Sequence, residues 1–361
     1  MSTTPVKFAI VGAGVIGRWH GLVMSEIDGA ALVAVIDTVP ERASALAKAR
    51  GGSAFTSLAE ALEHVEFDAV AVCVPSGIHG EIAIEALDAG KHVVVEKPVD
   101  IDLAKVDQLA DAHRRAGTVL TVISQHRFDP STEVVFKAIA DGRLGRLTSG
   151  IASCAWWRSQ DYYDSGDWRG TWELDGGGAL MNQSVHTIDL LLAAMGRPVE
   201  VFAYGDTLAH SGIEVEDTAV AVVKFESGAL GVIHGTTAAY PGLSARLQVH
   251  GDKGSAVIDD DQLVYIHAHD GRSLSDLGGG AGTNQLEEFQ HAVPRRGAGV
   301  TGSRDPGALS DAHHYQYANF LAAVAGIEKV RVGLAESRAA LAVILAIYES
   351  TRTGQPVSLH S

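Results

Sequence analysis

The sequence of 361 residues has little cysteine, few aromatics and a shortage of positive charge, and each shortage closes a class of function. Its two cysteines, Cys73 and Cys154, stand far apart in apolar stretches of strand character, and no CxxC occurs. Both read as buried, reduced thiols. Aromatic residues are 6% of the chain, so the 46% hydrophobic fraction must build its cores mainly from Ala, Val, Leu and Ile. With 28 Lys and Arg against 44 Asp and Glu, the formal charge is −16. That field repels phosphate backbones and anionic lipid heads, and no basic stripe reverses it locally, so neither nucleic acid nor membrane is expected as a partner. No apolar run approaches the roughly 20 residues of a membrane span. The N-terminus also lacks a basic segment followed by an apolar one, and the expected location is cytoplasmic.

What the chain does contain is a strand–helix rhythm. Its length exceeds the size at which one core stops growing, so two domains are expected. Over residues 1–125, short β-branched runs at 6–11, 31–36, 69–74, 92–95 and 118–123 alternate with helical patterns at 15–25, 40–50, 58–64, 79–89 and 103–116. Alternating units with nearly continuous apolar strands predict a parallel sheet covered on both faces. Beyond residue 125 the rhythm changes. Segments 127–142 and 179–195 read as helices, and 199–266 reads as strand after strand. Turn signals separate 216–225 from 230–237 and 246–250 from 255–258. Residues 126–361 are therefore expected to form an α+β domain with a mostly antiparallel open sheet, closed by an amphipathic helix over 334–351. The Gly-, Ser- and Arg-rich segment 270–310 shows no periodicity and reads as a loop that covers a site or reaches a neighbouring subunit.

The first strand leads directly into Gly12-Ala13-Gly14-Val15-Ile16-Gly17, and a helix follows. That context turns a weak motif into a dinucleotide-binding fingerprint. Gly12 permits the tight turn, Gly14 removes a side chain that would meet a pyrophosphate, and Gly17 lets the helix pack on the sheet. The backbone at Val15 and Ile16 opens the helix toward the phosphates. Asp37 ends the second strand, 20 residues after Gly17. A carboxylate there accepts from the adenosine ribose and repels a 2′-phosphate, so NAD is favoured over NADP. Ligands of such sheets lie beyond the carboxyl ends of the strands. That rule adds Pro75, Ser76 and His79, then Glu96, Lys97 and Pro98, then Gln125, His126 and Arg127.

Oxidising a secondary alcohol requires a base for its proton and a cation near the developing alkoxide. Lys97, at a strand end, suits the second role. Downstream, Asp175-Gly-Gly-Gly-Ala-Leu-Met-Asn182-Gln-Ser-Val-His186-Thr-Ile-Asp189 follows a glycine run with a helical pattern. An α-helix would place Asn182, His186 and Asp189 on one face. A polar stripe after glycines that admit close backbone approach makes His186 a candidate acid/base.

The GAGVIG turn, the VVVEKPV segment over Val93–Val99 and the GGG…N…H…D helix together resemble the glucose-fructose oxidoreductase / inositol dehydrogenase / rhizopine-catabolism family (Gfo/Idh/MocA). The likeness runs along nearly the whole chain. It implies a Rossmann domain, an active site in the cleft between the domains, catalytic roles for Lys97 and His186, and a homodimer or homotetramer made through the outer face of the second sheet. Asn182 stands where the inositol dehydrogenases of the family carry Asp. It cannot relay a proton, so it is assigned to orienting the substrate. Trp168-Arg169 resembles a family pair near cofactor and substrate, which gives Arg169 to the cofactor and Trp168 to the substrate. Arg158 and Tyr163 join the substrate set, and His313, at the head of His313-His-Tyr-Gln316, matches a pocket-lining spacing. His267 and His269 have no third ligand and read as a polar strand face, so no metal is expected. The implied function is hydride transfer between NAD and a secondary hydroxyl or ketone of a sugar, a glycoside (at C3) or a cyclitol. The alternatives are an NAD-dependent glycosidase with transient C3 oxidation and a keto-sugar reductase. A non-catalytic sensor would need neither Lys97 nor His186.

Overall fold

A computed structural model describes residues 4–269, 283–289 and 310–359. Most of the loop read at 270–310 lies outside the described residues. The described chain separates into two compact units. The first comprises residues 1–125, 173–176 and 305–341, and the second comprises 126–172, 177–304 and 342–361.

The first unit is a doubly wound parallel sheet. Its strands β1 (Val6–Val11), β2 (Ala30–Ile36), β3 (Ser53–Phe55), β4 (Ala69–Val72), β5 (His92–Val95) and β6 (Leu120–Val122) lie in the order β3-β2-β1-β4-β5-β6. Helices α1 (Val15–Glu26), α2 (Pro40–Arg50), α3 (Leu58–His64), α4 (His79–Asp88) and α5 (Leu103–Ala116) connect them. Local chemistry sets their ends. Ser57 Oγ accepts from Glu60 N at the start of α3, and Asp102 Oδ1 from Ala104 N at the start of α5. Gly117, at φ 64°, closes α5 in the left-handed conformation that glycine tolerates. Strand β3 was not expected, because three half-exposed residues carry too little pattern to register. The central strands are sealed: Phe8, Ile10, Val35, Val70 and Val94 are at most 1% exposed. A helix from far along the chain, Ser310–Val324, completes this core. Its Tyr317 and Phe320 rings pack on Phe8 at 5.8 and 5.9 Å between centroids. Its Gln316 accepts from Ser124 N (3.0 Å) and donates to Val122 O (2.8 Å), binding like an extra rung at the sheet edge.

The second unit is an eight-stranded sheet. After α6 (Pro130–Ala140) come β7 (Leu147–Ala155), the short α7 (Gln160–Asp164), and a π-helical turn (Ala179–Ser184) that runs into α8 (Val185–Met195). Strands β8 (Pro198–Asp206), β9 (Thr218–Phe225), β10 (Leu230–Thr236), β11 (Ala245–Gly251), β12 (Gly254–Asp259), β13 (Gln262–Ala268) and β14 (Val357–Ser358) follow. The order is β13-β12-β11-β7-β10-β9-β8-β14. All neighbours pair antiparallel except β7 and β10, which are parallel. Strand β9 alternates buried and exposed residues, as a sheet with one covered face requires. The covering elements include α8 and the π turn, which lie against β7, β10 and β11. The closing helix runs over Leu334–Thr353. No helix among the described residues is long and apolar enough to cross a membrane.

Candidate active site

The glycine turn of the first unit is shaped by three different demands. Gly12 adopts φ 100°, and a Cβ there would lie 2.4 Å from Cys73 O. At Gly17 a Cβ would lie 1.8 Å from Gly12 O, so helix and turn touch through backbone alone. A Cβ at Gly14 would meet nothing within 4 Å. The protein's own packing does not demand glycine there, and the space above α1 is open. Helix α1 has no side-chain cap and no acidic residue in its first turn, so its N-terminal amides and dipole face that space without a competing anion. Asp37 braces the turn: Oδ2 accepts from Ala13 N (2.8 Å) and Oδ1 from Val39 N (2.9 Å). A carboxylate has about four acceptor sites, so two lone pairs remain for ribose hydroxyls. At the end of β6, Gln125 is 3% exposed and its Oε1 is buried with no hydrogen-bond partner among the described residues. A buried orphan acceptor is costly unless a ligand N–H meets it. An open glycine cradle, a bare helix terminus, a braced carboxylate and an orphan amide oxygen all fit a dinucleotide.

Several residues expected at the cofactor prove to hold the strand ends in place. His79, 2% exposed, sets Nε2 against Val74 O (2.8 Å) and Nδ1 against Pro98 O (2.6 Å). Burial lowers its pKa against the pull of those carbonyls. Its ring ties two loops together. Ser76 is 6% exposed, in the turn that follows Pro75. Glu96 is 4% exposed and accepts from His20 Nε2 (2.8 Å) and from Lys97 N (3.0 Å). Burial resists its ionisation, but His20 and then Lys97 outweigh it and hold the carboxyl well below the usual range. His20 Nδ1 in turn meets Tyr317 Oη at 2.6 Å. Glu96 therefore orients the peptide of the partly buried Lys97. His313 belongs to the same cluster. It is 1% exposed, packed edge-on to Trp19 and His20, with Nε2 4.0 Å from Glu96 Oε1. It is packed within the first unit.

In the second unit, the helix that carries Asn182 and His186 starts unlike the expected α-helix. A Cβ at Gly178 would lie 1.7 Å from Glu216 O. The Glu216 carboxylate accepts from Gly178 N (2.9 Å), Leu180 N (2.8 Å) and Tyr348 Oη (3.1 Å). Burial pushes its pKa up to about 7 despite these bonds. The first turn is π-helical, and Ser184 Oγ bonds back to Ala179 O. The wider turn breaks the expected three-residue stripe. Asn182 and His186 stay partly exposed, while Asp189 is 3% exposed and takes a bidentate pair from Arg127, at 2.6 and 2.7 Å. The His186 ring meets the His126 ring at 5.0 Å, nearly perpendicular. His126 Nδ1 lies 2.9 Å from Asp129 Oδ2 and 3.0 Å from Asp261 Oδ1.

The structure also gathers an aromatic and cationic group. Arg158 lies over Trp156 and Tyr162, and its Nη2 donates to Gln183 Oε1 (3.0 Å), next to Asn182. Arg169 stands over Tyr162 at 4.3 Å and over Trp168 at 4.5 Å. Tyr163 is the exception. Its hydroxyl bonds Thr237 Oγ1 at 2.7 Å, its ring packs on His210, and burial pushes its pKa up to about 12. It is a packing residue. Arg127, expected at the cofactor edge, pairs with Asp189 instead, and sequence reasoning did not single out Gln183 and Glu216. Each finds its partner at a distance along the chain that periodicity does not report. For Glu216 the one available sign was a Glu-Asp pair at the head of an apolar strand.

The comparisons with known proteins agree with the two folds. Residues 6–124 match a model of the oxidoreductase family's NAD-binding Rossmann fold, and residues 133–257 match the GFO/IDH/MocA C-terminal domain. The chain is 31% identical to myo-inositol 2-dehydrogenase of Thermotoga maritima, over 79% of this chain and 82% of that protein. It is 30% identical to inositol 2-dehydrogenase of Rhizobium meliloti, over 85% and 95% respectively. The WlbA dehydrogenase of Bordetella pertussis, solved with NADH and UDP-GlcNAcA, superposes with a TM-score of 0.86 at 32% identity, covering 100% of this chain and 99% of that one. The chain is thus an NAD-dependent oxidoreductase of the Gfo/Idh/MocA family, related to dehydrogenases of inositol.

Proposed function

We propose that the protein is a dehydrogenase that oxidises a secondary hydroxyl of a pyranoside or cyclitol, with His186 as the base and Lys97 as the cation at the reacting oxygen. The observations that carry this reading are two prepared side chains, one in each unit. Lys97 projects from a peptide fixed by the buried Glu96, and His186 stands partly exposed on a helix whose start is clamped by Glu216. Bound NAD supplies the hydride acceptor. His186 takes the hydroxyl proton, and the Lys97 ammonium donates to the oxygen as negative charge develops. Asn182 orients the substrate by hydrogen bonding and carries no proton. Trp168 offers an apolar face to sugar C–H groups, and Arg158, with Arg169 beside it on Tyr162, donates to hydroxyl or carboxylate oxygens. Gly12, Gly14, Gly17 and Asp37 take the dinucleotide, with Gln125 accepting from it. The Asp37 carboxylate disfavours a 2′-phosphate, consistent with NAD. We further propose self-association through the open face of the second sheet, where Tyr204, Val220, Val222, Leu230 and Val232 are 71%, 47%, 54%, 58% and 36% exposed.

The test is NADH formation at 340 nm with a panel of monosaccharides, glycosides and cyclitols. Wild type is run beside Lys97→Ala and His186→Ala. The expected result is a substrate oxidised with NAD by wild type, with kcat/KM at least about 100-fold lower in each variant. A silent panel, with NAD still bound to the purified protein, would move the reading to transient oxidation in a glycosidase or to reduction of a keto-sugar.

A further inference from the structure

His126 occupies a position that two separate elements are bent to create. Asp129 stands at the N-cap of α6 yet makes no capping bond, although Asp is among the strongest capping residues. Its carboxylate turns to His126 Nδ1. Asp261 comes from the turn between β12 and β13. There Asp260 and Asp261 hold φ 47° and 59°, left-handed values that non-glycine residues seldom adopt. The turn is pinned on both sides. Ser131 Oγ donates to Asp261 O (2.8 Å), and Ala245 N donates to Asp260 Oδ1 (3.1 Å). A forgone cap and a constrained turn thus bring two carboxylates, both largely buried, onto one imidazole nitrogen. Carboxylates so close repel each other unless a cation lies between them. The His186 ring also meets that imidazole, its centroid 5.0 Å away and its plane at 78°.

We infer that His126 is a positioning residue, a standing imidazolium that sets the orientation and the ionisation of His186, keeping it in the neutral form that accepts a proton. This rests on the reading of His186 as the base. Burial alone would favour the neutral imidazole, but Asp261 and Asp129 outweigh it and hold the His126 pKa up at about 10. The charged groups near the two rings include Arg127 beside His126, Asp129 at the head of α6, Asp260 and Asp261 in the hairpin turn, and Asp189 on α8, and the proposed function adds the Lys97 ammonium on the side of His186. Arg127 neutralises Asp189. The His126 cation is in ring contact with His186. Its removal withdraws a positive charge and leaves two carboxylates uncompensated, and both effects raise the His186 pKa.

The experiment is a pH titration of histidine Cε1–H resonances in the full-length protein, labelled at histidine. His186 and His126 are assigned from His186→Gln and His126→Gln, and the titration is then run on wild type, His126→Gln and His126→Arg. In wild type the His126 signal should stay in its charged position from pH 6 to pH 8.5. The His186 midpoint should rise by roughly one unit or more in His126→Gln and return toward the wild-type value in His126→Arg, which restores a fixed cation. A His126 midpoint below 8, or an unchanged His186 midpoint in a folded His126→Gln protein, would overturn the inference. So would micromolar magnesium or zinc displacing the His126 signal in wild type but not in Asp261→Asn, which would make the cluster a metal site. The underlying reading fails separately: oxidation of substrate by His186→Gln at the wild-type rate would remove His186 as the base while leaving the ring coupling intact.

Discussion

Gly14 and Gly17 stand three residues apart in the same turn and answer to opposite constraints. Gly17 is required by the fold, since its added Cβ would collide with backbone. Gly14 is not required by the fold, since its added Cβ meets open space, and the proposed function requires it for the dinucleotide above. Gly17→Ala should therefore lose about 2 kcal/mol or more of stability without any cofactor. Gly14→Val should keep its stability within about 0.5 kcal/mol and lose at least tenfold in NAD affinity. Thermal unfolding and calorimetric titration with NAD measure both. At this scale the sequence was most legible where one local motif sets the backbone, as in the glycine turn between β1 and α1. It was illegible where a side chain's partner comes from elsewhere. Glu96, His79 and His313 look like site residues because they sit at strand ends or in a motif, and only three-dimensional packing shows that they hold the first unit together. His126 depends on a carboxylate from residue 261 and Arg127 on one from residue 189, neither of which any local pattern announces.

The element that matters most is the segment from Gly177 to Met195. Its existence was legible from the helical pattern that follows the glycine run. Its π-helical start was not, because that turn is imposed by the buried Glu216 capping two amides. Glu216 also carries a pH signature. Its folded-state pKa, about 7, lies above the ordinary value of 4.5. Between those values the native state holds a proton that the unfolded chain has released, so this group's contribution to stability falls as pH rises from about 4.5 to 7 and is level above. Glu216→Gln removes the titration. The stability of wild type relative to this variant should decline between pH 5 and pH 8 in denaturant melts. A constant difference would show that Glu216 stays ionised throughout. The strands were legible for a simpler reason: a two-residue alternation survives in any sheet with one covered face. The three-residue β3 fell below that signal, and the parallel pairing of β7 with β10 lay beyond it, because alternation reports faces and not neighbours.

For the whole molecule, composition was informative mainly by exclusion, and the strand–helix rhythm predicted both a parallel and an antiparallel sheet. A linear reading divides the chain at residue 125. The compact units are interleaved instead, because Ser310–Val324 returns to pack on β1 through Tyr317 and Phe320. The exposed apolar face of the second sheet makes its own prediction. The register sets Val222 opposite both Val232 and Phe202, and Val220 opposite Tyr204, so the exposed side chains form one contiguous patch. Light scattering after gel filtration should show a dimer or tetramer for wild type. A Val220→Lys, Val222→Lys variant should weaken the assembly by about 100-fold or more, since like charges would be forced together across a shared face. An unchanged assembly in that variant would place self-association elsewhere.

The most direct test of the central claim is to follow the hydrogen. A substrate found in the 340 nm screen is prepared with deuterium at the carbon bearing the reactive hydroxyl, and the nicotinamide product and sugar product are weighed by mass spectrometry. A dehydrogenase predicts one deuterium on released NADH and a ketone at the labelled carbon, in equal amounts. Deuterium retained in a hydrolysed sugar, with no reduced cofactor released, would contradict net oxidation.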